Sequence, residues 1–197
     1  ASSGLDAFTQ LLEAYLSTQS NIFTDTLALN GIELMHQYLN RCFDNPGDIE
    51  ARSNVAYAAY LSGICLANAG LGTIHGFASV LGGMYAVPHG IVCGTLIGAL
   101  NEMNISYMNE LNDLSVFEKY KKVAGLFVEE QNIPDKEKVY MLPKLLQNWL
   151  DRLEMPKLGE YGVTKDHVDE IVDQTSNKNN PFELSKQDLQ TILLQRI

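Results

Sequence analysis

Two histidines, His75 and His89, stand in a glycine-rich and otherwise apolar run from Gly70 to Gly90. Imidazole is the commonest protein ligand for transition metals, so rings in such surroundings raise a metal site as one reading. The other reading is a pair of core histidines, each donating a ring N–H to a backbone carbonyl. Nearer the start of the chain, Asp6 and Gln10 are four residues apart. On a helix that spacing puts both side chains on one face, where their oxygens can meet a single target. Taken alone, however, the stripe Asp6, Gln10, Glu13 and Ser17 reads as the solvated face of an amphipathic helix.

The elements that must position these residues read as helices almost throughout. Leu5, Phe8, Leu12, Tyr15 and Leu16 form an apolar stripe that predicts a helix from Leu5 to about Thr18. A second helix is expected from Phe23 to Cys42, ended by the turn Asp44-Asn-Pro-Gly-Asp48. Asp48 is placed to cap a long third helix that stops at Gly70 and Gly72. Thr73 can cap a short helix carrying His75, and Pro88 suits the first position of the next, with His89 in its first turn. The dipole at such helix starts favours neutral imidazole, and it opposes a cation unless a carboxylate is near.

Gly90, Gly94 and Gly98 recur every fourth residue, a spacing that lets another helix approach closely. Further helices are expected at Leu114 to Phe127, Asp135 to Leu153, Lys165 to Ser176 and Ser185 to Gln195, as an outer layer. No strand pattern, repeat or low-complexity segment is evident, so the predicted class is all-α. His36 and His167 read as packing or surface residues and Trp149 as core. Cys93, shortly after His89, could approach the site, although it reads first as a small buried hydrophobe.

Composition narrows the function classes. The chain has 197 residues, enough for one domain or a compact pair, with 46% hydrophobic and 19% charged residues. With 14 basic against 24 acidic residues the net charge is -10, and no basic cluster interrupts it. Nucleic acid is therefore not an expected partner. The apolar run Ala78 to Leu100 is broken by Pro88 and His89, which favours a core segment over a membrane span. Three cysteines without CxxC spacing fit a reducing cytoplasm. The chain opens inside an amphipathic helix and without Met, as an excised C-terminal piece would.

Read together, the motifs are more specific. Ser3-Gly-Leu-Asp6-Ala-Phe-Thr-Gln10-Leu-Leu-Glu13-Ala-Tyr15, Asn68-Ala-Gly-Leu-Gly-Thr-Ile-His75-Gly76, Pro88-His89-Gly90 and the tail from Ser176 to Leu189 resemble the C-terminal domain of the iron-containing alcohol dehydrogenases. The resemblance covers essentially the whole chain. It implies one helical metal-binding domain over residues 1–197, of the iron-containing alcohol dehydrogenase and dehydroquinate synthase-like fold. It also implies an N-terminal nucleotide-binding domain, absent here, that faces this one across a cleft.

The metal implied is Fe(II) or Zn(II), with Asp6, Gln10, His75 and His89 at the ligand positions. The family commonly has histidine where this chain has Gln10, a weaker donor to either metal. Ser79, one helical turn after His75, stands where many members carry a histidine near the substrate, and it cannot titrate near neutral pH. The activity implied is metal-polarised hydride transfer between a small alcohol or aldehyde and NAD or NADP. The glycines here lack the strand-turn-helix context of a dinucleotide loop, so the fragment by itself is expected to be inactive. A homodimer is suggested by the resemblance alone. Gln10 and Ser79 keep open a second reading, a metal-free helical domain that serves packing or dimerisation.

Overall fold

The computed structural model describes residues 1–128 and 130–197. Nine α-helices and no strand occur among the described residues, in agreement with the all-α class. The first three, α1 (Ser2–Leu16), α2 (Ile22–Asp44) and α3 (Ile49–Ala69), pack on one another. Leu5, Phe8, Leu11 and Leu12 of α1 are buried almost completely, Leu11 against Gly31 of α2, Leu5 against Gly94, and Phe8 against Phe127 and Trp149. Asn21 caps α2 through the Phe23 and Thr24 amides, and Asp48 caps α3 through the Ala51 amide at 2.9 Å. The α3 helix ends at Gly70, whose φ of +66° suits glycine.

The short α4 (Thr73–Met84) leads into α5 (His89–Glu110), which lies against α1, α4 and, on its other sides, α6 (Leu114–Phe127), α7 (Asp135–Arg152) and α9 (Lys186–Leu194). The apolar run Ala78 to Leu100 is thus divided between two helices. The glycine stripe sets how closely α5 is approached. A Cβ on Gly90 would lie 2.7 Å from the Ser2 carbonyl oxygen, and one on Gly94 3.2 Å from Leu5 Cβ. Gly98 instead faces α7, where a Cβ would lie 3.5 Å from the Pro143 carbonyl oxygen. Among the described residues no single helix is long and apolar enough to cross a membrane, and α3 with α4 reaches that length only across a 100° bend.

Three expectations need correction. Gly72, not Thr73, is the residue preceding α4, and the Thr73 hydroxyl donates to Asn177 Oδ1 instead. The helix expected over Lys165 to Ser176 is a 3-10 turn, Lys165–His167, running into the shorter α8 (Val168–Gln174). Most consequential, the polar stripe of α1 is not a solvated face: Glu13 and Ser17 are buried, and Gln10 is half-buried. Ser17 Oγ donates to the Ala69 carbonyl at 2.6 Å and ties the end of α1 to the end of α3. The stripe is an internal polar seam between α1, α3 and α4.

Candidate metal centre

Asp6 projects from the second turn of α1, His75 from the first turn of α4, and His89 and Cys93 from one face of α5. Asp6 Oδ1 lies 3.5 Å from His75 Nε2 and 3.5 Å from His89 Nε2. Cys93 Sγ lies 3.5 Å from His75 Nε2 and 3.4 Å from His89 Nε2. All four donor atoms fall within 4.8 Å of one another. The sequence reading treats Cys93 as a packing residue. The structure puts its sulfur between the two histidines.

One atom tests whether these residues fit a cation. Asp6 Oδ1 is buried and makes no hydrogen bond, an arrangement that costs about 1–3 kcal/mol unless something else meets that oxygen. A carboxylate oxygen, two imidazole nitrogens and a thiol sulfur facing one point are a donor set for a divalent transition metal. The residues fit the metal that the sequence motifs imply.

Glu13, seven residues after Asp6, organises the site from behind. Its Oε2 stands 2.6 Å from His75 Nδ1 and accepts from the Gly72 amide at 3.0 Å, while Oε1 accepts from the Ile74 amide at 2.7 Å. One buried carboxylate therefore caps α4 and fixes the ring that α4 carries. It holds Nδ1 as the protonated nitrogen, which leaves His75 Nε2 facing Asp6 and Cys93.

Electrostatics follow the same contacts. Burial alone would lower the His75 pKa, but Asp6 and Glu13 outweigh it and raise it to about 9. The expectation that the helix dipole keeps this ring neutral is thereby overturned for the metal-free chain, because two carboxylates oppose one dipole. Burial raises the Asp6 carboxyl, yet His75, Cys93 and His89 outweigh that and hold it below its usual value. Burial, with Asp6 beside it, pushes the Cys93 thiol well up. The site is graded in access, since the His75 side chain is 5% exposed and that of His89 52%.

The other predicted residues are placed as follows. Gln10 Oε1 lies 2.8 Å from Ser62 Oγ, so its amide is engaged with α3. Ser79 is exposed; its hydroxyl donates to the His75 carbonyl at 2.7 Å, and Lys178 Nζ stands 3.2 Å from it. Lys178 also donates to the His75 carbonyl at 2.8 Å and joins the C-terminal tail to α4. His36 packs its ring on Phe127, and Trp149 is buried with its Nε1 donating to Asn40 Oδ1 at 2.8 Å. His167 Nδ1 accepts from the Thr164 amide at 3.3 Å, a local role.

Glu13 and Lys178 are the residues that sequence reasoning missed, and Cys93 is one for which it preferred a packing role. For Glu13 and Cys93 a signal existed: Glu13 shares the helical face of Asp6 and Gln10, and Cys93 that of His89. Nothing local marks Lys178, which reaches α4 from more than ninety positions away in the chain.

Comparison with known proteins bears on this geometry. The model of the Fe-containing alcohol dehydrogenase family, C-terminal part, matches residues 1–197. The chain belongs to the iron-containing alcohol dehydrogenase family. It is 30% identical over 201 residues to the NADPH-dependent butanol dehydrogenase of Clostridium saccharobutylicum, a match covering 98% of this chain and 49% of that one. Over 104 residues it is 45% identical to alcohol dehydrogenase 4 of Schizosaccharomyces pombe, covering 53% of this chain and 25% of that protein. The fold matches a crystal structure of 1,3-propanediol oxidoreductase with a TM-score of 0.90 and 26% identity, over 100% of this chain and 51% of that one. The chain thus spans about half the length, or less, of the relatives it matches.

Proposed function

We propose that this chain is the metal-binding domain of an NAD- or NADP-dependent alcohol dehydrogenase, in which Asp6, His75 and His89 hold a divalent cation, Fe(II) or Zn(II). The observation that carries the reading is the buried and unpartnered Asp6 Oδ1, 3.5 Å from both ring nitrogens, in a chain whose whole length matches the family. A metal-free packing domain would leave that oxygen without a hydrogen bond, facing the two rings at ion-pair distance only. When bound, the cation supplies Lewis acidity for hydride transfer between an alcohol or aldehyde and the nicotinamide.

The chain's own residues divide the remaining work. Asp6 contributes the negative charge, Glu13 orients His75, and His89 presents the exposed edge at which a small substrate arrives. Ser79 Oγ, one turn from His75, cannot titrate near neutral pH and donates its proton to the His75 carbonyl, so proton transfer to the reacting oxygen is assigned to water or to a group of the N-terminal domain. Lys178 Nζ, 3.2 Å from that hydroxyl, joins the tail to the helix that carries His75. Among the described residues no strand precedes a glycine-rich turn, so nicotinamide binding is assigned to a separate N-terminal nucleotide-binding domain. The relatives' additional length leaves room for one. The three free cysteines suit a reducing cytoplasm.

Elemental analysis after loading with iron or zinc tests the metal reading, with a Gln10→His variant alongside. About one equivalent per chain is expected, held more tightly by the variant; no uptake by either overturns it. The full-length protein, screened with alcohols and each nicotinamide, tests the enzyme reading. A folded, metal-loaded protein inert to the whole panel overturns that part alone.

A further inference from the structure

We infer that Cys93 Sγ is the fourth protein ligand, in the place that the family resemblance gives to Gln10, and that this makes the site selective for thiophilic cations such as Zn(II) over Fe(II). The inference rests on the metal site proposed above and concerns which atoms complete it.

Geometry is the first support. A tetrahedral zinc site with bonds of about 2.0–2.3 Å to oxygen, nitrogen and sulfur has edges of roughly 3.3–3.6 Å between its donors. Four edges of the set match: 3.5 Å from Asp6 Oδ1 to each imidazole, and 3.5 and 3.4 Å from Cys93 Sγ to His75 and His89. Helical register explains why the sulfur is there, since Cys93 follows His89 by four residues on α5 and so shares its face. Gly94 lets α5 lie close enough to α1 for Asp6 to reach both. Gln10, in contrast, has its carboxamide oxygen 2.8 Å from the buried Ser62 hydroxyl.

Donor chemistry is the second support: Cys93 would bind the cation as a thiolate, between the rings of His75 and His89. The step balances simply: the sulfur–metal bond forms, the sulfur–hydrogen bond breaks, and the proton passes to solvent. A thiolate is a soft donor, which shifts preference towards zinc. Cys42 and Cys65 offer no alternative: Cys65 Sγ is directed to the Thr24 carbonyl, and neither belongs to the cluster.

The test is cobalt(II) loading of the full chain, read by the near-ultraviolet charge-transfer band that thiolate ligation gives. The band is expected in the unaltered chain and in Gln10→Ala. It is also expected in a Cys42→Ser, Cys65→Ser double variant, where Cys93 is the one cysteine left. It should vanish in Cys93→Ser, and zinc affinity by chelator competition should fall by more than roughly 100-fold, beyond the ~10–100-fold loss that follows removal of an orienting partner. Should Cys93→Ser fail to fold, the double variant decides. Cobalt bound there without the band overturns Cys93 ligation and leaves the metal reading standing. An affinity loss in Gln10→Ala as large as in Cys93→Ser returns the fourth place to Gln10. No cobalt uptake by any folded form overturns both readings.

Discussion

The Glu13 carboxylate is bonded at once to His75 Nδ1 and to the two amides that open the helix carrying His75. Helix start and ligand orientation therefore depend on one side chain. Glu13→Gln keeps the shape and removes the charge. Zinc affinity should drop by ~10–100-fold, as for other partners that orient a ligand. Stability of the metal-free chain should drop by about 1–3 kcal/mol, because a buried imidazole and amide lose an ionised acceptor. Chelator competition and urea unfolding read the two effects separately, and an unchanged affinity would remove Glu13 from the site.

Crossing of the tail over α4 gives a second prediction. A Cβ on Gly76 would collide with the Ser176 carbonyl, whereas one on Gly63, in the middle of α3, meets nothing within 4 Å. Gly76→Ala should cost about 1–3 kcal/mol as the tail is displaced. Gly63→Ala should stabilise by about 0.5–1 kcal/mol, since alanine in a helix interior loses less backbone entropy. Denaturation midpoints that move the same way for both would contradict this packing.

Acid sensitivity should come partly from α9. Asp188 accepts from the Ser185 hydroxyl and amide and from the Tyr107 hydroxyl of α5. Burial raises its pKa, but those hydrogen bonds outweigh burial and hold it below the usual carboxylate value. A carboxylate depressed in the folded state stabilises above its unfolded pKa, and that contribution is lost as pH falls through the folded value. Asp188→Asn should thus flatten the loss of stability below about pH 4, measured as melting temperature against pH. An unchanged acid slope would show that the α5–α9 contact does not depend on the charge.

Buried polar linkage at the end of α1 supports a fourth. Ser17 is 4% exposed, donates to the Ala69 carbonyl and accepts from the Gln19 amide. Ser17→Ala should lower stability by about 1–3 kcal/mol, because two partners are left unpaired. Calorimetric melting that shows no change would mean water replaces the hydroxyl.

Helix identity was legible because period, caps and glycine stops agree locally. Asp48 and the Gly90–Gly98 stripe are found where local rules put them. The candidate metal site was legible in part: Asp6, His75 and His89 meet, although they come from three helices and His89 is more than eighty residues from Asp6. What escaped was anything decided by which face ends up inside. Glu13 and Ser17 have the composition of a solvated face, and only the closure of α3 and α4 over them makes them internal. Cys93 looks like its apolar neighbours because a thiol does not declare itself as a ligand until the rings stand beside it. Lys178 depends on how the tail returns across α4, which no local pattern encodes.

The difference in exposure between the two histidines has a kinetic meaning. Asp6, His75 and Cys93 are set in packed helix faces, whereas more than half of the His89 side chain is open. At the proposed site a bound cation would be reached first through His89, so whatever shields the start of α5 would govern its residence time, separately from the equilibrium strength of the ligand set.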